Sequence, residues 1–409
     1  MSNRPFDVAV VGAGPAGSAT AVHLARAGLR VVLVDRSIFP RDKPCAEYLN
    51  PAVGPLLHEL GVLEEIEATR PARVRGFRIH APGGREFQGD FVTRAADGRT
   101  IVETGLAVPR LRLDHALLQA ARRAGAEIRE GWRLGQVVRE SPGGPARLVP
   151  ASEGGTIRAR LVVAADGVHS TIARRLGLHA PRRMRKIALV AHVRGIAGLG
   201  DYGEIHVAGR RYVGLAPLEP AGVGDLCNVA MVVDEGRDGQ RVAGRAQDFL
   251  LEALETFPRL RGRLARATVT RPTLTASRLA VRARRLSADG VLLVGDAAGY
   301  YDPFTGEGIY RALRGARLAS GVAVEALTKG DVGAGTLACY DRLHARVFGG
   351  KRTIEVVIQV AVQVPALMDR VAAVLGARKG MADTMLAVTG DLLPPSAVLR
   401  PGYLLRLLV

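Results

Sequence analysis

Cysteine is scarce in this 409-residue chain: Cys45, Cys227 and Cys339 stand far apart, with no Cys-x-x-Cys pair and no histidine at metal-ligand spacing. Neither a disulfide framework nor a zinc site is indicated. Aromatic residues are few, Trp132 is the single tryptophan, and the basic residues are dispersed rather than interleaved with aromatics. A surface that stacks nucleic-acid bases is therefore not expected, despite a formal net charge of +18. That charge comes mostly from arginine, lysine being confined to Lys43, Lys186, Lys329, Lys351 and Lys379, and it reads as decoration of a solvated surface. Local clusters such as Arg182-Arg183-Met-Arg185-Lys186 remain able to attract a phosphorylated cofactor or a lipid. Uninterrupted apolar runs are also missing. The longest stretch, Ile354 to Leu375, is broken by Gln359, Gln363, Pro365, Asp369 and Arg370, which fits an amphipathic or core helix better than a membrane span. There is no Gly-x-Ser-x-Gly elbow, Walker loop or His-Glu-x-x-His, so hydrolase and phosphotransferase chemistry has no support.

Three motifs built on short apolar runs do carry information. Phe6 to Val11 reads as a buried strand, followed by Gly12-Ala-Gly14-Pro15-Ala16-Gly17 and a helical stretch, Ser18 to Ala27. A second strand, Leu29 to Val34, ends in Asp35-Arg36 at the distance at which a dinucleotide fingerprint requires an acid. Gly12 permits the tight turn, Gly14 lets the backbone reach a pyrophosphate, Gly17 allows close helix–strand packing, and Asp35 accepts from a ribose hydroxyl. Gly198-Leu-Gly200-Asp-Tyr-Gly203 matches the same spacing, but a strand-like run follows it, so that match is discarded. Further on, Val291 to Val294 is an apolar run that ends in Gly295-Asp296 and a Pro- and Gly-punctuated loop, with a long helical pattern from Gly308-Ile309. An acid at a strand end suits a ribityl or ribose hydroxyl, and the following helix N-terminus offers unpaired N–H groups. Between the two lies Leu161-Val-Val-Ala-Ala-Asp166-Gly167, a strand and turn leading into a short helix, Thr171 to Leu176.

In this order the three motifs resemble the FAD signatures of the flavoprotein superfamily that holds the geranylgeranyl reductases and the aromatic hydroxylases. The form Asp302-Pro303-Phe304-Thr305-Gly306-Glu307-Gly308-Ile309 is closest to the reductase branch. The resemblance implies a non-covalently bound FAD, with reduced nicotinamide as a transient donor because no second complete Rossmann unit exists. It implies FAD contacts from Gly12, Gly14, Pro15, Ala16, Gly17, Asp35, Arg36, Asp166, Gly167, Asp296, Gly308 and Ile309. Arg110, in a family-like Arg-x-x-x-Asp helix start, and Leu134, near the adenine position, join them. Phe39-Pro-Arg-Asp-Lys-Pro-Cys45-Ala46-Glu47-Tyr48 resembles the reductases' segment along the flavin's reactive face, with Ala46 and Tyr48 replacing two glycines. The match places Cys45 and Ala46 at the ring, makes Cys45 and Glu47 catalytic candidates, and puts Tyr48 in the pocket. Tyr212-Val-Gly214-Leu-Ala216-Pro217 follows the reductases' Tyr-x-Trp-x-Phe-Pro spacing with both large aromatics lost. Tyr212 becomes a catalytic candidate, and Gly214, Ala216, Pro217 and Pro303 pocket residues. A halogenase's Trp-x-Trp-x-Ile-Pro motif is absent.

The expected fold is α/β: a Rossmann-like, mostly parallel FAD-binding domain with an inserted antiparallel-sheet substrate domain and a helical C-terminus. The FAD-binding domain is placed at 1–75, 100–180 and 275–330, the substrate domain at 76–99 and 181–274, and the helical region at 331–409. Leu111 to Ala124 reads as an amphipathic helix, and a single helix is expected over Arg241 to Phe257. The preferred reaction at this stage is NAD(P)H-driven monooxygenation of a lipophilic aromatic or polyketide-like substrate, because Gly214 and Ala216 empty the pocket. The alternative is geranylgeranyl-reductase-type reduction of C=C bonds in a prenylated lipid; a remote one is a basic surface-binding protein with structural FAD. A first strand at Phe6 leaves no room for a cleaved signal peptide, so a cytoplasmic location is expected. Nucleic acid and an obligate protein partner are not expected; a weak membrane-surface contact, for instance through Leu404 to Val409, stays open.

Overall fold

The computed structural model describes residues 4–140, 144–181, 185–277, 279–300 and 302–408. Part of the Arg182–Lys186 basic cluster and Tyr301 lie outside the described residues. The strand Phe6–Val11 pairs in parallel with Val31–Val34 on one side and with Ile157–Ala164 on the other. Val291–Leu293 pairs in parallel with the second half of Ile157–Ala164, while the antiparallel Ala146–Pro150 takes the first half of that same edge. This sheet of eight strands is covered on both faces, which is why its strands are continuous apolar runs rather than alternating ones. Val8, Val10, Leu33 and Val163 pack under the helices Pro15–Arg26, Arg110–Arg123 and Gly308–Thr328, while Ala9, Val11, Val34 and Val162 pack with Trp132, Leu148 and Ile172.

The first turn is as tight as its glycines require. Gly12 has φ +101, and a Cβ there would lie 2.4 Å from the Ala165 carbonyl oxygen. A Cβ on Gly17 would lie 1.7 Å from the Gly12 carbonyl oxygen, so helix and strand touch backbone to backbone.

A second sheet, of seven strands, runs in the order Thr268–Ser277, Lys186–Arg194, Cys227–Asp234, Arg211–Pro217, Gly203–Ala208, Gly76–His80, Glu86–Asp90. Every pairing is antiparallel except that of Gly203–Ala208 with Gly76–His80. Val213, Leu215, Val229 and Met231 fill its outer face with Phe249, Leu250 and Phe257. The single helix expected over Arg241 to Phe257 is instead two, Glu235–Val242 and Ala246–Leu254. Gly244 sits between them at φ +72, a left-handed conformation that stops the first.

From Ala334 the chain is a series of helices. The longest, Ala334–Gln363, ends at extended Val364, and Pro365 opens the next helix, Pro365–Ala377, at an angle of 113°. Proline has no N–H to continue the first helix and a φ suited to starting the second. Among the described residues no single helix is long and apolar enough to cross a membrane. Lys379–Thr389 and Pro401–Leu408 complete the region, with Tyr403 and Leu407 buried and Leu405 exposed.

Candidate active site

One continuous cavity of about 880 Å³ lies where the two sheets and the C-terminal helices meet. Its first part is the crevice at the carboxyl ends of the parallel strands, the usual ligand position in an open α/β sheet. Gly12, Gly14, Pro15, Ala16, Asp35, Arg36, Leu134, Asp166 and Gly167 line it there. Gly17 does not; it is the packing residue beneath. Asp35 accepts from the Ala13 N–H at 2.7 Å and the Ser37 N–H at 2.8 Å, which fixes its carboxylate at the strand end. Asp166 caps the next helix by accepting from the Thr171 N–H at 2.7 Å, while its Oδ1 is buried with no hydrogen-bond partner drawn to it among the described residues.

The middle of the cavity is lined by Arg41, Lys43, Cys45, Ala46, Arg110, Asp296, Gly308 and Ile309. Arg110 is not a surface arginine. It forms a bidentate pair with Asp114, both contacts 2.7 Å, and Arg41 binds the same fully buried carboxylate at 2.7 Å. Burial pushes the Asp296 carboxyl up from its ordinary value, against the pull of Lys43 and Arg110. Two helix N-termini without side-chain caps face this region, Pro15–Arg26 behind Gly14 and Gly308–Thr328 behind Glu307. A Cβ on Gly14 would meet nothing nearer than 3.8 Å, so the backbone there is open. Open backbone, two dipole-positive helix ends, an unsatisfied buried acceptor and acids at two strand ends fit a dinucleotide with a pyrophosphate bridge, as FAD has.

The far part of the cavity is apolar. Tyr48, Phe77, Phe87 and Phe91 line one side, Tyr212, Gly214 and Ala216 another, and Pro303, Phe304, Ile358, Ala361, Met368 and Leu386 the rest. Tyr48 is boxed in: Cβ atoms on Gly105 and Gly306 would lie 2.6 and 2.7 Å from its ring, and Phe77 meets it edge-on at 5.0 Å. Along Arg211–Pro217 the alternation of a strand turns Tyr212, Gly214 and Ala216 inward. Pro217, expected in the pocket, does not line it; it ends the strand on the face whose Val213 and Leu215 side chains join the outer core, although Leu215 also touches the cavity.

Two catalytic candidates reach the cavity and one does not. Cys45 lines it, and burial pushes its thiol up, outweighing the pull of nearby Arg110, so the sulfur keeps its proton. Glu47 takes another place. With φ +57 the chain turns its carboxylate away from the cavity, where it binds the His192 ring at 2.6 Å and accepts from the Arg110 backbone N–H at 3.1 Å and Arg271 at 3.3 Å. It anchors the loop to the second sheet. Tyr212 is 4 % exposed and donates from its hydroxyl to Asp302 at 2.6 Å. The other Asp302 oxygen accepts from Lys186 at 2.5 Å, and Lys186 also donates to Gln359 at 2.5 Å. Burial, with the Asp302 carboxylate beside it, holds the Tyr212 phenol well above its ordinary range. The sequence had Asp302 inside a motif without a role of its own, Lys186 only within a basic cluster able to attract a phosphorylated cofactor or a lipid, and Gln359 only as a break in an apolar stretch.

Cys45→Ala is expected to keep FAD and lose less than about tenfold in kcat, because its sulfur accepts from the Glu47 N–H at 3.3 Å and, among the described residues, is not joined to a chain such as Asp302–Lys186 that could return a proton. A loss of about 10²-fold or more, the range of a missing general acid, would transfer the proton-donor role to Cys45; FAD content and melting temperature of the same preparation control for folding.

A family model described as an FAD-binding domain matches residues 5–347. Among curated relatives, a digeranylgeranylglycerophospholipid reductase of Methanothermobacter thermautotrophicus is 31 % identical over 84 % of this chain and 83 % of its own. A menaquinone reductase of Mycolicibacterium smegmatis is 31 % identical over 81 % of this chain and 78 % of its own. Among solved structures, a triple mutant of the flavin-dependent brominase Bmp2 superposes with a TM-score of 0.77 at 18 % identity, covering 97 % of this chain and 98 % of its own. With the fingerprint, the two acids and the helix N-termini gathered on one cavity, the chain belongs to the FAD-binding-domain family, within the superfamily of geranylgeranyl reductases and aromatic hydroxylases.

Proposed function

We propose that this oxidoreductase saturates carbon–carbon double bonds in the isoprenoid chain of a lipid, with electrons from NAD(P)H. The observation that carries the reading is Tyr212 in the wall of an apolar cavity, its hydroxyl joined through Asp302 to Lys186. Reduction of an alkene needs a hydride at one carbon and a proton at the other. When bound and reduced, FAD supplies the hydride. Tyr212 supplies the proton, and the Lys186–Asp302 chain returns one to its oxygen. The apolar wall excludes water, which would otherwise compete for the reducing equivalents. Emptying at Gly214 and Ala216 favoured oxygenation in the sequence, but the missing aromatic surface is present on other strands as Phe77, Phe87 and Phe91. The names of the two curated reductases point the same way.

Monooxygenation of a bulkier aromatic substrate is the second reading, favoured by the open space beside Gly214, where a Cβ would find its nearest neighbour at 3.9 Å. The two separate under anaerobic conditions. Purified enzyme with NADPH or NADH and a prenylated quinone or diether lipid is expected to give a product heavier by two hydrogens without oxygen. Turnover that requires O₂ and is coupled to its uptake selects the oxygenase.

Gly214→Trp combined with Ala216→Phe should bind FAD normally, accept electrons from NAD(P)H and lose turnover of the native substrate. Overpacking would cost about 1–3 kcal/mol of stability, so melting temperature is measured alongside. A stable double variant with unchanged turnover would remove both positions from the substrate path.

A further inference from the structure

The helix Ala334–Gln363 is polar-paired on one side and bare on the other. Its inner face holds Tyr340, Phe348, Lys351, Ile354, Glu355, Gln359 and Val362. Its outer face carries exposed Arg342 and Arg346 in the first half, Arg352 just past the middle, then Thr353, Val356, Val357 and Val360, with Val364 at the break. Positions 342, 346, 353, 357 and 360 recur at three-, four- and seven-residue steps and form one stripe. The four valines are 41 to 51 % exposed. None of the exposed residues of this helix is acidic: Glu355 is buried against Arg311 and Asp341 is held by Ser287 and the Leu286 N–H.

We infer that this face docks on an anionic lipid bilayer, the valine end immersed and the arginines at headgroup level. Two features of the molecule select a bilayer as the occupant. The charge is complementary, because an acid-free arginine row on a chain of net charge +18 meets a negative surface. The apolar part is also short: from Arg352 to Val360 the helix rises about 12 Å, and the chain then turns by 113° instead of continuing inward. An interfacial helix buries its apolar face to about 5–10 Å, so this geometry suits lying in the surface, not crossing it. Position gives the docking a purpose. The same two helices that expose Val356, Val357, Val360 and Val364 turn Ile358, Ala361, Met368 and Val371 into the cavity wall. Docking there sets the apolar end of the cavity against the lipid phase, whichever reaction the flavin performs.

The experiment is flotation of the FAD-loaded full-length protein with vesicles of phosphatidylcholine alone or mixed with phosphatidylglycerol, at low and high salt. Binding is expected to the mixed vesicles, to fall with salt, and to drop at least tenfold in partition coefficient in Val357→Asp/Val360→Asp and in Arg342→Gln/Arg346→Gln/Arg352→Gln. FAD content and melting temperature should match wild type in both, since these side chains are exposed. Failure of wild type to float, or equal flotation of either variant, overturns the inference. So does a dimer by light scattering that Val357→Asp/Val360→Asp converts to a monomer, which would assign the stripe to a second copy of the chain.

Discussion

Gly17→Ala should cost this protein most of its flavin. The added carbon would sit 1.7 Å from the Gly12 carbonyl oxygen, a backbone atom, so no flexible side chain can yield. The helix Pro15–Arg26 must then move off the strand Phe6–Val11, carrying its N-terminus away from the pyrophosphate position. We expect a fall in stability of about 1–3 kcal/mol, as for other overpacked sites, and at least tenfold weaker FAD binding. Gly14→Ala is the informative contrast. Its Cβ meets no protein atom nearer than 3.8 Å, so the apo-protein should melt as wild type does while FAD binding weakens. Equal FAD affinity in Gly14→Ala, measured by fluorescence titration, would show that the backbone at 14 does not approach the cofactor.

Tyr212→Phe is expected to lower kcat by about 10²-fold or more, the usual contribution of a positioned general acid. FAD content and the rate of flavin reduction by NAD(P)H should be unchanged, because the phenol lies in the apolar part of the cavity with Phe304 edge-on at 5.1 Å. Asp302→Asn should show a smaller defect with a raised solvent isotope effect, since it interrupts the return of the proton and leaves Tyr212 in place. The pH profile is part of the test. Burial and the adjacent carboxylate hold the Tyr212 phenol well above its ordinary range, so its proton stays on throughout neutral and mildly alkaline solution. No alkaline loss of activity from this group should appear below about pH 10, the ordinary phenol value. A Tyr212→Phe enzyme with wild-type kcat would end the proton-donor assignment.

The residues that the turns and strand ends bring to the cavity were legible in the sequence, and the side-chain pairings across the fold were not. Gly12, Gly14, Asp35, Asp166 and Asp296 could be read because the turn, the strand end and the helix start that give each its geometry are neighbours in the chain. Lys186 reaches Asp302 across 116 residues and Gln359 across 173, and no local periodicity encodes that meeting. Phe77, Phe87 and Phe91 sit in β-patterned segments whose inward face depends on how the sheet meets the C-terminal helices. Glu47 shows the opposite case. The resemblance to the reductase segment made it a candidate, and with a left-handed backbone at that one residue its carboxylate meets His192 and Arg271. Gly244 ended a helix that the apolar periodicity alone would have continued.

The pairing of Ile157–Ala164 with Val291–Leu293 has a consequence for biogenesis. Everything between those strands, the whole middle of the second sheet included, is made by the ribosome before the edge can close, and the helix beginning at Gly308 follows later still. Closing so large a loop is entropically slow. A nascent chain therefore carries its glycine turn and first parallel pair long before it owns a complete flavin cradle, and FAD can act only as a late clamp that captures the assembled sheet. Cells starved of riboflavin should accumulate this protein as a protease-sensitive species cut in the segments that follow Ala164.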